Sequence, residues 1–220
     1  HVFAINGKSG KTLWERQFVA TGRTFCHKKT CVAAPTPVSD GKFLAAQFSS
    51  NDVFCLDLDG NLKWLRGLTH DYPNAANSLG MSSSPVLADG VFVTQVENDA
   101  DSFSAGLDLA TGKTLWRKAR PKGANWTSPT VLKGKKGDLV ALQSKAGLLV
   151  VEPRTGKERW NYEDGAATIT STTVTTSLAP TFATPAIATP TLTSACFATA
   201  HASATHTATT FTSAPLAPAA

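Results

Sequence analysis

Nowhere in this chain of 220 residues do 18 apolar residues run together, so a membrane-crossing helix is excluded. Methionine occurs once, and the first residue is His1 rather than an initiator. The chain opens inside a strand-like run, Val2 to Ile5, and is read as a piece of a longer protein from which a targeting segment is not judged. Cysteine is scarce, with four residues, no adjacent pair and no Cys-x-x-Cys knuckle of a structural zinc site. The sharpest scarcity is positional. All 21 Lys and Arg, all 16 Asp and Glu and all 16 Gly lie at or before Gly165.

Two regions follow from that boundary: 1–165, and a tail over 166–220 dominated by Thr, Ala, Ser and Pro. The tail shows neither the period of a strand nor that of a helix, and no Asn-Gly or Asp-Gly turn. It reads either as a disordered, mucin-like stalk or as the product of a reading-frame slip near Gly165. The slip is favoured, because a repeat that fills the upstream region stops there abruptly.

That repeat is the main signal. Asn6-Gly-Lys-Ser9-Gly10-Lys11-Thr-Leu-Trp14 is answered by Asp57-Leu-Asp59-Gly60-Asn61-Leu-Lys-Trp64. Two further copies are Asp108-Leu-Ala-Thr111-Gly112-Lys113-Thr-Leu-Trp116 and Glu152-Pro-Arg-Thr155-Gly156-Lys157-Glu-Arg-Trp160. In each, Gly precedes Trp by four residues. Between these copies runs a second element, Pro37-Val38-Ser-Asp40-Gly41-Lys-Phe43-Leu44, repeated as Pro85-Val86-Leu87-Ala-Asp89-Gly90-Val91-Phe92. A third version starts at Pro129 and turns through Lys133–Gly137. Apolar strand, glycine turn, apolar strand is a hairpin pattern. Each period therefore holds about four short strands, and no segment shows an amphipathic helical period.

The expected architecture is all-β: a β-propeller of four-stranded antiparallel blades, incomplete, with about three full blades and a partial one. Full blades are expected near 31–66, 81–118 and 126–162, the outer hairpin of another over 1–18, and a further first strand over 166–174. Within the motif, Gly10, Gly60, Gly112 and Gly156 supply a turn position with positive φ. Trp14, Trp64, Trp116 and Trp160 lay an apolar face against the neighbouring blade.

These motifs resemble the tryptophan-docking repeat of the PQQ-like (pyrroloquinoline quinone repeat) β-propeller family, Ala-x-Asp-x-x-Thr-Gly-x-x-x-Trp. The resemblance covers residues 1 to about 165. Asn6, Ser9 and Glu152-Pro153 depart from the pattern, and the copy at 57–64 is one residue short. The resemblance implies one of two functions. Some members are binding or assembly scaffolds, with a protein partner or small ligand at the propeller face and an exported, periplasmic or outer-membrane-associated location. Others are quinoprotein dehydrogenases that hold pyrroloquinoline quinone and calcium, with an adjacent Cys-Cys pair, a Trp floor and an Asp base. The scaffold is the first reading. The quinoprotein oxidoreductase is the alternative, with its main active-site blades outside these residues.

No residue is assigned as catalytic or as a metal ligand. Trp126, the one Trp outside the motif, is the candidate to stack on a planar cofactor, against the plainer reading of packing between blades. Cys26 and Cys31 either form a disulfide, which suits an exported protein, or flank a basic His27-Lys28-Lys29 loop tip. Cys55 is read as a buried small hydrophobe. Asp71, Glu97 and Asp99 could offer oxygens to a cation, and His70 beside Asp71 has the look of a base with its orienter. The net charge of +5 is scattered over turns, without the aromatic-interleaved stripe of a nucleic-acid module. No nucleic-acid partner is expected.

Overall fold

The computed structural model describes residues 1–75, 79–166 and 168–172. Fourteen strands fall into one two-stranded and three four-stranded sheets, all antiparallel. Strands β1 (Val2–Ile5) and β2 (Thr12–Arg16) form the two-stranded sheet. The first full sheet is β3 (Val38–Ser39), β4 (Phe43–Gln47), β5 (Asp52–Asp57) and β6 (Leu62–Gly67). The second is β7 (Val86–Ala88), β8 (Val91–Val96), β9 (Phe103–Asp108) and β10 (Thr114–Ala119). The third is β11 (Thr130–Leu132), β12 (Leu139–Ser144), β13 (Gly147–Val151) and β14 (Glu158–Tyr162). In each, spatial order follows chain order. The fold is that of an incomplete β-propeller.

The meander arises because every connection is a short turn carrying residues that suit it. In the motif turns, Gly10, Gly60, Gly112 and Gly156 share φ values between +66° and +81°, a region in which a Cβ would clash. The residue opening each turn restrains it from the side chain. Asn6 Oδ1 accepts from the amides of Lys8 and Ser9, Asp57 Oδ1 from those of Asp59 and Asn61, and Asp108 Oδ1 from that of Thr111. Glu152, one methylene longer, takes the Thr155 hydroxyl instead (2.6 Å). A register shift sits beside all four turns, at Ala4/Ile5, Cys55/Leu56, Thr114/Trp116 and Val150/Val151. Such a bulge adds a residue to one strand and re-aims the side chains that follow. The residue re-aimed is the Trp.

The core lies between sheets. Ala45, Val53 and Cys55 of the first full sheet meet Phe92, Phe103, Ala105 and Leu107 of the second. Val91, Val93 and Trp116 of the second meet Val140, Leu142, Leu149 and Val151 of the third. Middle strands buried on both faces explain the near-continuous apolar runs of β8 and β13. The short first strands β3, β7 and β11 lie side by side, which makes theirs the inner edge of the arc.

Two local differences from the sequence reading emerge. The segment that carries His70 and Asp71, where the sequence shows no helical period, contains one helical turn, α1 (Leu68–Asp71), followed by a 3-10 turn at Pro73–Ala75. Burial of Leu68 and Ala75 holds it down, a tertiary effect with no local periodicity to announce it. Beyond Gly165, residues 168–172 lie along the third sheet. Ser128 N donates to Ser171 Oγ (2.8 Å), as Ser84 N does to Ser128 Oγ and Thr36 N to Ser84 Oγ (both 2.9 Å). Ser171 thus takes the place of Ser128, which puts Thr172 at the position of Pro129 within the first strand expected over 166–174, although no strand is assigned over 168–172. The tail readings for 173–220 lie outside the described residues.

Candidate functional site

The loops divide over two faces. One carries the motif turns, which join neighbouring sheets. Trp14 Nε1 donates to Leu58 O (2.9 Å), Trp64 Nε1 to Leu109 O (2.8 Å) and Trp116 Nε1 to Pro153 O (2.6 Å). In each case the ring lies on the motif glycine of the next sheet. A Cβ built on Gly60, Gly112 or Gly156 would stand 2.7, 2.6 and 2.6 Å from Cδ2 of Trp14, Trp64 and Trp116. Arg16 Nε and Arg66 Nη1 add bonds to the carbonyls of Gly60 and Gly112. Trp160 is placed differently. It is 40% exposed and stacks on Tyr162 of its own strand. No group lies within 4 Å of a Cβ on Gly10.

The opposite face carries the β4–β5, β8–β9 and β12–β13 loops and the crossings between sheets. A buried polar knot lies here. Glu97, just after β8, accepts from Arg120 Nε (2.8 Å) and Asn125 Nδ2 (2.9 Å). The two charged side chains are 1% and 6% exposed. Arg120 Nη2 also donates to Leu142 O, and Asn125 Nδ2 to Gln143 O (2.7 Å). Gln95 Nε2 reaches the same carbonyl (2.6 Å) and Thr127 Oγ1 (3.2 Å). Burial pushes the Glu97 carboxyl above its ordinary range, while the Arg120 charge and the two hydrogen bonds pull it back. Gln47, Gln95 and Gln143 occupy equivalent places at the ends of β4, β8 and β12, and all three are buried. The knot ties the second sheet to the third.

Beside the knot opens a cleft of about 430 Å³, lined by Arg120, Ser144, Gly147, Glu158, Asn161 and Glu163. Arg120 meets it with a guanidinium already tethered to Glu97. Glu158 and Glu163 give its wall a negative charge that no basic side chain in the lining, apart from the tethered arginine, offsets. Sequence reasoning singled out Glu97 and Trp126 but did not connect Glu97 to Arg120 or reach the cleft lining, because partners 18 to 48 residues apart leave no local pattern. The equal placing of Gln47, Gln95 and Gln143 within the repeat was the one signal available.

The residues singled out from sequence are scattered. Asp71 pairs with Arg66, not with His70, so the base-and-orienter reading is replaced by a structural ion pair. Glu97 belongs to the knot rather than to a cation, and Asp99 is exposed. Trp126 is half-buried, its Nε1 directed to Gly80 O (3.4 Å) and its backbone amide to Thr168 O (2.8 Å). Cys26 and Cys31 are free thiols that flank a turn closed by Thr30 N to His27 O (2.9 Å). Cys55 is buried, and its thiol is pushed up to about 11 by burial and then by the Asp40 charge. Among the described residues, no three His, Cys, Asp or Glu side chains converge.

Radially adjacent four-stranded meanders, joined by indoles on glycine turns, define a propeller-type repeat protein. A family model described as outer membrane protein assembly factor BamB (PQQ_2) matches residues 1–214, and the chain belongs to that PQQ-like repeat family. No curated protein sequence matches the chain. Among solved structures it is similar to the quinohemoprotein alcohol dehydrogenase of Comamonas testosteroni, with 15% identity and a TM-score of 0.56 over 74% of this chain. A second such dehydrogenase, from Pseudomonas putida HK5, gives 13% identity and a TM-score of 0.53 over the same share. BamB from Moraxella catarrhalis gives 16% and 0.47, again over 74%. The chain spans 32%, 31% and 46% of those three proteins. For the two dehydrogenases, at these identities, the likeness is one of fold.

Proposed function

We propose that the chain is part of a binding and assembly scaffold whose crossing face receives an extended, basic polypeptide segment. The observation that carries this reading is the cleft beside the knot. Arg120, which lines it, is held by its bond to Glu97, so that part of the site is preorganised, and Glu158 and Glu163 supply the complementary charge. An exported location, periplasmic or at the outer membrane, accompanies this reading and draws on the family description. Among the described residues no helix is long and apolar enough to cross a membrane.

The residues present do not fit pyrroloquinoline quinone and calcium. The four cysteines include no adjacent pair, the carboxylates are dispersed into separate ion pairs, and the Trp126 indole N–H is directed to a backbone carbonyl. No step through the quinone is derived. The test is fluorescence anisotropy with a labelled Lys-rich peptide and its Glu-rich counterpart. The basic peptide binds, weakens with added salt and weakens again in Glu158→Gln/Glu163→Gln. Equal affinity for both peptides, or none for either, overturns the reading.

A further inference from the structure

The crossing from β2 to β3 takes 21 residues, 17–37, where that from β10 to β11 takes 10, 120–129. The extra length is pinned down. Thr21 N donates to both oxygens of Asp52 (3.1 and 3.2 Å), and Thr21 Oγ1 to Oδ1 (2.5 Å). A Cβ on Gly22 would collide with Ser50 O, and one on Gly80 with Phe25 O and the Cys26 backbone. His27 N donates to Leu79 O (2.9 Å), and Ser49 N to Val32 O (2.8 Å). The chain is thus fastened on both sides of one short exposed stretch, 28–31.

A turn occupies that stretch, closed by Thr30 N to His27 O (2.9 Å). One cysteine stands immediately before it and another immediately after it. Residues flanking a closed turn are brought close, and a disulfide asks for Cα atoms about 4.4–6.8 Å apart. Cys26 Sγ is directed to Thr30 O (3.9 Å), the oxygen of the carbonyl bonded to the Cys31 nitrogen. Both thiols are free, Cys31 exposed and Cys26 half-buried. Neither takes part in the indole junctions, the buried knot or the cleft.

We propose that Cys26 and Cys31 form a redox modification site, a dithiol that closes to an intramolecular disulfide with a small disulfide such as oxidised glutathione as its oxidant. Cys31, the accessible sulfur, attacks the oxidant as its thiolate. A mixed disulfide forms, the oxidant's own S–S bond breaks, and one thiol is released. Cys26 then attacks the Cys31 sulfur and expels the second thiol. The two protons and two electrons lost by the cysteines end on the two thiols released. Anchors at 25–27 and at Val32 hold the backbone beside each sulfur, so the internal attack outruns that of a second oxidant molecule. The bond cross-links the loop lying on Gly80, whose carbonyl also receives the Trp126 indole N–H. It therefore braces the point where three crossings meet.

The test equilibrates the reduced 220-residue chain with mixtures of reduced and oxidised glutathione, then digests it with trypsin without reduction and weighs the peptides. Trypsin cuts after Arg23, Lys28, Lys29 and Lys42, between the two cysteines as well as outside them. Thr24–Lys28 and Thr30–Lys42 therefore leave as one species, two hydrogen atoms lighter than their sum, only if Cys26 is bonded to Cys31. Cys26→Ser instead retains glutathione on Cys31, while Cys31→Ser takes it up on Cys26 more slowly. At half closure, the squared glutathione concentration divided by that of its disulfide is about tenfold higher for the folded chain than in concentrated urea, the equivalent of ordering one backbone residue. Glutathione on both cysteines of the unaltered chain overturns the proposal. So does a bond from either to Cys55 or Cys196, or a folded chain that closes no better than the unfolded one.

Discussion

Replacing Gly156 with Ala isolates the worth of an indole junction, provided Gly10→Ala is measured beside it. Both glycines sit at the same motif position, with φ values of +66° and +68°, so the strain of a Cβ in left-handed backbone, about 1–2 kcal/mol, is common to the two variants. What differs is the neighbour. At Gly156 the new carbon stands 2.6 Å from Cδ2, 2.7 Å from Cγ and 3.0 Å from Cε3 of Trp116, whereas at Gly10 it meets open space. Trp116 is only 8% exposed and its N–H is tied to Pro153 O, so the ring must leave both its packing and its hydrogen bond to make room. Overpacking of this kind costs about 1–3 kcal/mol. The expected outcome is therefore a destabilisation of about 2–5 kcal/mol for Gly156→Ala against about 1–2 kcal/mol for Gly10→Ala. Urea unfolding at low protein concentration reads this as a difference in midpoint of about 1 M, taking a slope of roughly 2 kcal/mol/M. Equal midpoints for the two variants would refute the argument that the ring and the glycine backbone are packed as one unit.

Other outcomes follow from the same geometry. Trp116→Ala costs about 3–5 kcal/mol, while Trp160→Ala, on an exposed strand, shifts thermal unfolding of the monomer by no more than a surface change does. Arg120→Ala leaves Glu97 buried without its charge partner and costs about 3–5 kcal/mol near neutral pH. Because the folded pKa of Glu97 is raised, protonation favours the folded state, so that variant regains stability as pH falls through the window below the raised pKa. Asp57 behaves in the opposite sense. Its hydrogen bonds from Asn61 and Lys63 lower its pKa in the folded chain, so the stability it contributes is present above the unfolded carboxylate range and lost as pH falls below it. Asp57→Asn accordingly flattens the acid limb of a stability–pH curve. Native alkylation at pH 8 followed by peptide mapping leaves Cys55 unmodified while Cys26 and Cys31 react, since the Cys55 thiol is both buried and pushed up to about 11.

The sheets were readable because their turns are chemically punctuated. A glycine four residues before a Trp, with an Asn, Asp or Glu opening the turn, specifies a hairpin locally and needs no distant partner. The same reasoning stumbled where distant partners decide. Leu68 and Ala75 turn helical because the core takes them in. Thr172 meets the proline position because the Ser128 amide donates to the Ser171 hydroxyl, a contact that no residue count along the chain announces. The site was the least legible part. Glu97 looked like a stray oxygen donor until Arg120, 23 residues on, was seen against it. His70 and Asp71 looked coupled because they are sequence neighbours, yet the carboxylate belongs to Arg66.

Each junction closes on a main-chain oxygen, contributed in turn by a leucine, a second leucine and a proline. The indole therefore asks nothing of the side chain at its receiving position. A blade built on this rule is an interchangeable part. Duplication, loss or lengthening of one unit does not oblige its neighbours to change in step, and drift at the receiving residue leaves the joint intact. The short copy at Asp57–Trp64 is an instance within this chain: it has lost a residue, and Leu58 still answers Trp14.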